Sequence, residues 1–533
     1  MATPQGSHLT TLAFHGAAGT VTGSCYELRH RNATLLIDCG LFQGPRSLEK
    51  LNFALFEFDP AALAGVIVTH AHLDHAGLLP RLAAQGFTGP VWCTPATAEL
   101  LQYLLLDAAR LNEQDAARRN RRWDRADEAP IEPLYTIADA QNLLSQLRPV
   151  ELCASFTPCE GVTARFWNAG HVLGSASIEL TTEEVRILFS GDLGPQASSL
   201  LAGPNAPTGL DHVIMEATYG DRDRPEISID ERRSHLRREV EDALGHGGNL
   251  LIPAFALERT QELLVDLATL IRDGKLRGIR VFIDAPLATK ITEVFARHAG
   301  ELEAVAAEVM FHDPAFHYVE DVQQSRALAN LSGAIIIAGS GMCEGGRIRH
   351  HLLNNLSRPD STLLFVGYQA AGTLGRTILE GARRVRLSGE TVAVRLRVRE
   401  IGSYSAHADR SELIDWCAAR GPIRGSLFIV HGEAQALASL KQAVDAPERS
   451  IMIPEIGELY ALSTNKPAKR LRTGDPEIRR VVSRDWQNDY ADLAVNLKKD
   501  LSHIADEQRR REAIARMRAV LDSFRAGGDG TKS

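Results

Sequence analysis

A chain of 533 residues, 44% hydrophobic and 24% charged, is ordinary for a globular protein and long enough for about two to four domains. No apolar run reaches the roughly 18 residues that span a bilayer. Met1-Ala2-Thr3-Pro4-Gln5 lacks the regions of a signal peptide, so a cytoplasmic protein is expected. The net charge of -8 argues against a surface coated in nucleic-acid-binding charge, though not against a local basic groove. Seven scattered cysteines without a CxxC pair suggest neither a disulfide framework nor a thiolate zinc ribbon.

Residues 10 to 40 alternate apolar runs with glycine turns and read as consecutive strands of a sheet. Asp38 closes the run Thr34-Leu35-Leu36-Ile37, where a carboxylate can orient a neighbouring histidine. The β-branched run Val66-Ile67-Val68 reads as a buried strand and leads into Thr69-His70-Ala71-His72-Leu73-Asp74-His75. Three imidazoles and a carboxylate within six residues at a strand end form a metal-ligand pattern, since His suits zinc and a carboxylate binds or bridges a second ion. A short helix follows from Gly77, then the strand Val91-Trp92-Cys93 and a helix over 96–124 ending in a mixed charge run that reads as a solvated face.

Two further ligand candidates stand at strand ends beside glycines: His171 after Arg165 to Gly170, and Asp192 after Val185 to Gly191. Asp192 can bridge two ions, and water between them becomes a nucleophile at neutral pH. From about residue 210, apolar strands at 213–216, 249–252, 281–284, 334–337 and 362–366 alternate with helices such as 228–244 and 258–273. This is the pattern of a second α/β domain with a parallel sheet. Glu216, the glycine loop from Ala338 to Gly346 and Gly367-Tyr368-Gln369 lie at carboxyl ends of those strands, where ligands bind. The glycine loop runs into Arg347, so it reads either as a tight structural turn or as backbone amides at a helix start that hold a phosphate.

Residues 391 to 400 alternate strictly and lead to Ser405-Ala406-His407, a further ligand candidate; His431 reads as a supporting histidine rather than a ligand. Lys466 to Arg472 reads as a linker. Beyond it, Trp486, Tyr490, Leu493, Leu497, Leu501 and Ile504 recur with the spacing of one helix face, which points to a docking or dimerising helical hairpin ahead of the alternative, an RNA-binding arm carrying Arg509-Arg510-Arg511.

These motifs resemble, in order, those of the metallo-β-lactamase-fold nucleases of the β-CASP group, which includes ribonuclease J and the endonuclease of eukaryotic pre-mRNA 3′-end cleavage. The likeness rests on Ile37 to Gly44, the His70 to His75 loop, His171, Ser190-Gly191-Asp192, Glu216 to Gly220 and Ser405-Ala406-His407, and it covers roughly residues 10 to 462. It implies an α/β architecture, a metallo-β-lactamase αββα sandwich with an inserted β-CASP domain of mainly parallel sheet. The expected division is 1–209 and 401–462 for the sandwich, 210–400 for the insertion and 463–533 for a helical extension. The resemblance also implies two zinc ions: one held by His70, His72 and His171, the other by Asp74, His75 and His407, with Asp192 bridging. Asp74, Glu216 and His407 are thereby assigned to catalysis. The position resembling a histidine proton donor of the eukaryotic enzyme aligns with Thr377, which cannot serve as an acid near neutral pH.

The expected function is a zinc-dependent ribonuclease acting on single-stranded RNA, mainly endonucleolytic with possible 5′-exonuclease action. Arg259, Ser340, Gly341, Arg347 and Arg376 are the candidates for holding flanking phosphates. Rivals are a DNA nuclease and a non-catalytic RNA-processing scaffold, the latter disfavoured because the ligand set is complete. No membrane partner is expected, and a homodimer through the C-terminal helices is a possible assembly.

Overall fold

The computed structural model describes residues 9–526 apart from 123–129, 225–226, 304–312, 371, 447–448, 484–496, 498–500 and 502. Two sheets face one another. The first has eight strands in the order Lys466–Arg472, Leu459–Ser463, Thr10–Phe14, Tyr26–His30, Ala33–Ile37, Gly65–Ile67, Val91–Cys93, Leu147–Pro149. The second has seven, in the order Ser450–Met452, Ser426–Val430, His212–Glu216, Arg186–Phe189, Ala176–Thr182, Val162–Asn168, Ser155–Cys159.

Alternation along each strand sorts the side chains into layers. Leu35 and Ile37 point between the sheets with Phe14, Tyr26, Phe189, Ile214 and Phe428, while Leu36 points out with Val66 and Val91. Helices Leu79–Ala84 and Pro95–Arg122 cover that outer face. Helices Arg410–Ala418 and Ala434–Ala443 likewise cover Val213, Met215, Leu427 and Ile429 on the second sheet. The result is the αββα sandwich.

The third sheet has six strands, all parallel, in the order Phe316–Tyr318, Val281–Asp284, Ile335–Ala338, Leu250–Pro253, Thr362–Phe365, Arg397–Glu400. Ile252 and Ile337 meet helices Ile229–Gly245 and Arg259–Arg272 on one face. Leu251, Ile336 and Phe365 meet Ile348–Asn355 and Leu374–Leu379 on the other. Burial on both faces explains the continuous apolar runs read from the sequence. Ile291, Val294 and Phe295 of the insertion join the core of the first layer, each contributing about 1.5–3 kcal/mol. The seam therefore holds the two domains together.

Three boundaries differ from the expected ones. The strand His212–Glu216 pairs with Arg186–Phe189 and Ser426–Val430, so it completes the sandwich and the insertion starts after Glu216. The run 391–400 is divided: Glu390–Ala393 forms a hairpin with Arg384–Leu387, and Arg397–Glu400 is the edge of the parallel sheet. Lys466–Arg472 is an edge strand paired with Leu459–Ser463 rather than a linker. The expected helix face from Trp486 to Leu493 lies outside the described residues. Further on, helix Glu507–Ala526 is present.

The chain leaves the sandwich through residues 217–224 and returns through 401–409. These two crossings lie side by side: Arg410 N donates to Arg222 O (3.1 Å), Ser411 N to Asp223 Oδ1 (3.0 Å) and Arg224 Nη2 to Glu412 Oε2 (2.8 Å).

Candidate metal centre

The His70 to His75 loop, His171, Asp192 and His431 follow the carboxyl ends of sandwich strands, and Glu216 ends one. After Gly65–Ile67 the chain turns into a four-residue helix, Leu73–Ala76, which gathers His70, His72, Asp74 and His75. The turn is held from behind: Ser24 N donates to Asp74 O (2.8 Å), and Cys39 N to His75 O (2.8 Å). Gly40 permits this approach, because a Cβ there would lie 1.6 Å from Asp74 O.

Asp38, in the left-handed region at φ 60°, orders the donors beneath them. It accepts Thr69 N (2.8 Å), Thr69 Oγ1 (2.9 Å) and His75 Nδ1 (2.7 Å). The His75 proton is thereby fixed on Nδ1, leaving the Nε2 lone pair to face the site. Thr69 has given its one proton to Asp38, so its oxygen accepts from His70 Nδ1 (3.1 Å) and frees His70 Nε2. Only Nδ1 of His171 can donate to the Ala406 carbonyl at 2.8 Å, which aims Nε2 inward.

Two donor sets result. In the first, His72 Nδ1 lies 3.1 Å from both His70 Nε2 and His171 Nε2, and Asp192 Oδ2 lies 3.7 and 3.6 Å from those two nitrogens. In the second, His75 Nε2 lies 3.1 Å from His431 Nε2 and 3.2 Å from Asp192 Oδ1, while Asp74 Oδ2 lies 3.7 Å from His431 Nε2. Asp192 thus turns one oxygen to each set. Tetrahedral bonds of about 2.1 Å place neighbouring ligand atoms about 3.4 Å apart, so both sets have the size of a metal cage. Buried imidazole and carboxylate donors gathered at such distances suit a cation among them, and Asp192 Oδ1 is buried without a hydrogen-bond partner. The donor set fits a divalent metal.

The electrostatics agree. Burial and neighbouring imidazoles push His70 and His171 well below the usual histidine range, and His72 is lowered too, which keeps them neutral donors. Burial opposes charge on the carboxylates, yet the surrounding imidazoles outweigh it; Asp192 is held well below its ordinary value and Asp74 at about 2. His75 is raised despite its burial because Asp192 and Asp38 flank it, so positive charge is drawn to that point.

The sequence reading placed His407 beside Asp74 and His75; the structure places His431 there. His431 stands at the end of Ser426–Val430, whose strand runs parallel to that of Glu216 with Val430 opposite Glu216. A histidine directly after a buried strand was the available signal, the same one that marks His171. His407 groups instead with Glu216 and Asp192: its Nδ1 lies 3.4 Å from Glu216 Oε1 and its ring 4.4 Å from that of His171. Burial disfavours charge on His407, but Glu216 and the site carboxylates raise its pKa. Thr377 is exposed on its helix and donates to Thr373 O (2.9 Å).

The segment carrying His407 is anchored in the insertion. Tyr404 Oη donates to the fully buried Asp266 Oδ2 (2.8 Å), which also accepts Arg232 Nε (2.9 Å). Arg232 continues to Ser199 Oγ in the sandwich (2.7 Å).

Among the expected phosphate contacts, Arg347 is committed inside the insertion, to Asp284 Oδ1 (2.6 Å), Val319 O (3.2 Å) and Glu320 O (3.0 Å). Its helix start is therefore a structural knot. Ser340 Oγ accepts Gly345 N (3.2 Å), and Gly341 O accepts Gln369 Nε2 (3.0 Å), so the glycine loop closes on itself. Arg259 pairs with Glu262 (2.9 Å) but keeps a buried Nε without a partner, and Arg376 pairs with Glu380 (2.7 Å).

An αββα sandwich with a parallel-sheet insertion closing over a histidine–carboxylate centre defines a metal-dependent hydrolase. The sequence matches the Metallo-beta-lactamase superfamily over residues 18–227, the Beta-Casp domain over 260–378 and the Zn-dependent metallo-hydrolase RNA specificity domain over 391–454. It is 35% identical over 450 residues to Ribonuclease TTHA0252 of Thermus thermophilus, spanning 83% of this chain and 98% of that protein. It is 30% identical over 452 residues to Transcription termination factor FttA of Methanothermobacter thermautotrophicus (80% and 68%). An RNase J-like protein of Methanocaldococcus jannaschii is 29% identical over 461 residues (84% and 100%). The crystal structure of a protein of unknown function from Enterococcus faecalis V583 superposes with a TM-score of 0.51 at 15% identity, covering 85% of this chain and all of that one, a likeness of fold. The chain belongs to the β-CASP ribonucleases of the metallo-β-lactamase superfamily, hydrolases acting on RNA.

Proposed function

We propose that this chain is a zinc-dependent ribonuclease that hydrolyses phosphodiester bonds of single-stranded RNA, chiefly within the strand. The observation that carries the reading is the turning of the two Asp192 oxygens to two separate donor sets, 3.2 Å from His75 and 3.6 Å from His171. His70, His72, His171 and Asp192 would hold one zinc ion, and Asp74, His75, His431 and Asp192 the other. Zinc at both places would supply charge stabilisation at the phosphate and lower the pKa of water for attack on phosphorus.

The chain's own groups do the rest. Asp38 and Thr69 hold His75 and His70 in their donor tautomers. His407, outside both four-residue sets and paired with Glu216, is the group placed to protonate the leaving oxygen. Glu216 is itself fixed by Leu193 N (2.5 Å) and Thr218 N (3.2 Å), so it keeps its oxygen toward His407. Arg259 and Arg376 would hold the strand's other phosphates. A groove between two domains admits a single strand more readily than a duplex. A cytoplasmic role in RNA processing, and pairing of two copies through the C-terminal helices, complete the reading; helix Glu507–Ala526 is largely exposed along its described side chains.

The test is cleavage of one RNA carrying a 5′-triphosphate, a 5′-monophosphate or a blocked end, with zinc and after chelation. Internal fragments whatever the 5′ end, abolished by chelation, are expected. Mononucleotides released only from the monophosphate would make the enzyme a 5′-exonuclease. Equal cleavage of single-stranded DNA would remove the RNA preference, and no cleavage with zinc bound would leave a scaffold role.

A further inference from the structure

Two large aromatic side chains face solvent at the carboxyl end of the insertion's sheet. Phe255 is 45% exposed and Tyr368 51%. They follow Leu250–Pro253 and Thr362–Phe365, neighbouring parallel strands, and so emerge together at one end of the insertion's sheet. The loops bearing them are joined: the Phe255 ring covers Gly341, where a Cβ would come within 2.8 Å of it, and Gly341 O accepts the amide of Gln369, next to Tyr368.

Tyr219 lies on the outgoing crossing between the domains, just beyond Glu216. Its ring stands 5.8 Å from that of His407 at 81°, and Arg222 lies 5.5 Å from its centroid. Burial and then the Glu433 carboxylate push the Tyr368 phenol up, Arg222 and Arg376 oppose them, and Tyr219 also acts on it, so Tyr368 stands in a mixed-charge setting near the outgoing crossing. Aromatic faces interleaved with guanidinium groups beside a phosphodiester-cleaving centre are what unpaired bases stack on; a duplex has no free base face to offer.

We propose that Tyr368 and Phe255 from the insertion and Tyr219 from the outgoing crossing form a stacking lip for the unpaired base next to the scissile phosphate, on the His407 side, with Arg222 and Arg376 holding its phosphates. The assignment rests on the ribonuclease reading for its substrate, and it adds a requirement for an unpaired base at a fixed offset from the cut.

The probe is a 12-nucleotide single-stranded RNA with 2-aminopurine placed at successive positions, mixed with the full-length protein and with Tyr368→Ala and Tyr368→Phe. Stacking predicts strong quenching at one position, at a constant offset from the mapped cleavage site. Tyr368→Ala should lose that quenching and raise KM about tenfold with kcat within about twofold, while Tyr368→Phe keeps both. An abasic nucleotide at that position should match the loss, and Tyr368→Ala should add nothing to it. Quenching unchanged in Tyr368→Ala, or lost equally in Tyr368→Phe, overturns the lip. Normal cleavage without quenching at any position also overturns it, leaves the ribonuclease reading intact and turns the patch toward a protein partner. Quenching without cleavage keeps the lip and removes the ribonuclease reading.

Discussion

Asp38 Oδ2 accepts the Nδ1 proton of His75 at 2.7 Å from a backbone in the left-handed region. Asparagine tolerates that φ, so Asp38→Asn should fold. Its neutral amide no longer enforces the His75 tautomer, and metal affinity should fall about 10- to 100-fold. Metal titration followed by calorimetry reads this; unchanged affinity would show that Asp38 only braces Thr69.

His431 and His407 are separable. His431→Ala should lose about half of the bound metal, because it removes a member of the Asp74–His75 set. His407→Ala should keep the metal and lose about 10²- to 10⁴-fold in kcat, the usual worth of a proton donor. Elemental analysis beside kcat distinguishes them, and loss of metal from His407→Ala would return it to the ligand set.

Glu258 predicts a pH dependence of stability. Burial, and then the Glu262 carboxylate, hold its pKa well above 4.5, and Glu258 Oε2 is buried without a partner. Between the unfolded value and the raised folded value the native chain binds the extra proton, so rising pH there destabilises the fold, by at most about 1.4 kcal/mol per unit. Glu258→Gln removes that loss. Its Tm advantage over the parent chain should grow from pH 5 to pH 8, and an advantage that shrinks would refute the assignment.

Asp284 collects Arg347 (2.6 Å), His351 (2.6 Å) and Ser325 (2.6 Å) in the core of the insertion. Asp284→Ala strands a guanidinium and an imidazole, and should cost about 3–5 kcal/mol. Thermal unfolding measures this. A loss below about 1 kcal/mol would mean that the knot rearranges freely.

Local patterns were legible where one strand and its own loop supply the chemistry: His70, His72, Asp74 and His75, and also Asp38 beneath them. The exchange of His407 and His431 was not, because both follow apolar segments and only sheet membership separates them. Val430 pairs beside Glu216 in the sandwich, whereas the His407 segment descends from the edge of the inserted sheet. The strand at 213–216 was given to the wrong domain for the same reason, since a buried parallel strand reads alike in either sheet. Lys466–Arg472 looked like a linker because an edge strand tolerates proline and carries charge, here Pro467 with Lys469 and Arg470.

The two crossings between domains lie side by side, with Tyr219 on the outgoing one and His407 on the returning one, three residues past the Tyr404 anchor in the insertion. Glu216 and the metal-facing histidines stand on the sandwich. The proposed proton donor and the carboxylate paired with it therefore ride on opposite sides of a joint. Their 3.4 Å separation acts as a gauge of how the two bodies are seated, and a strand that wedges them apart would uncouple proton delivery while leaving every metal-facing side chain in place.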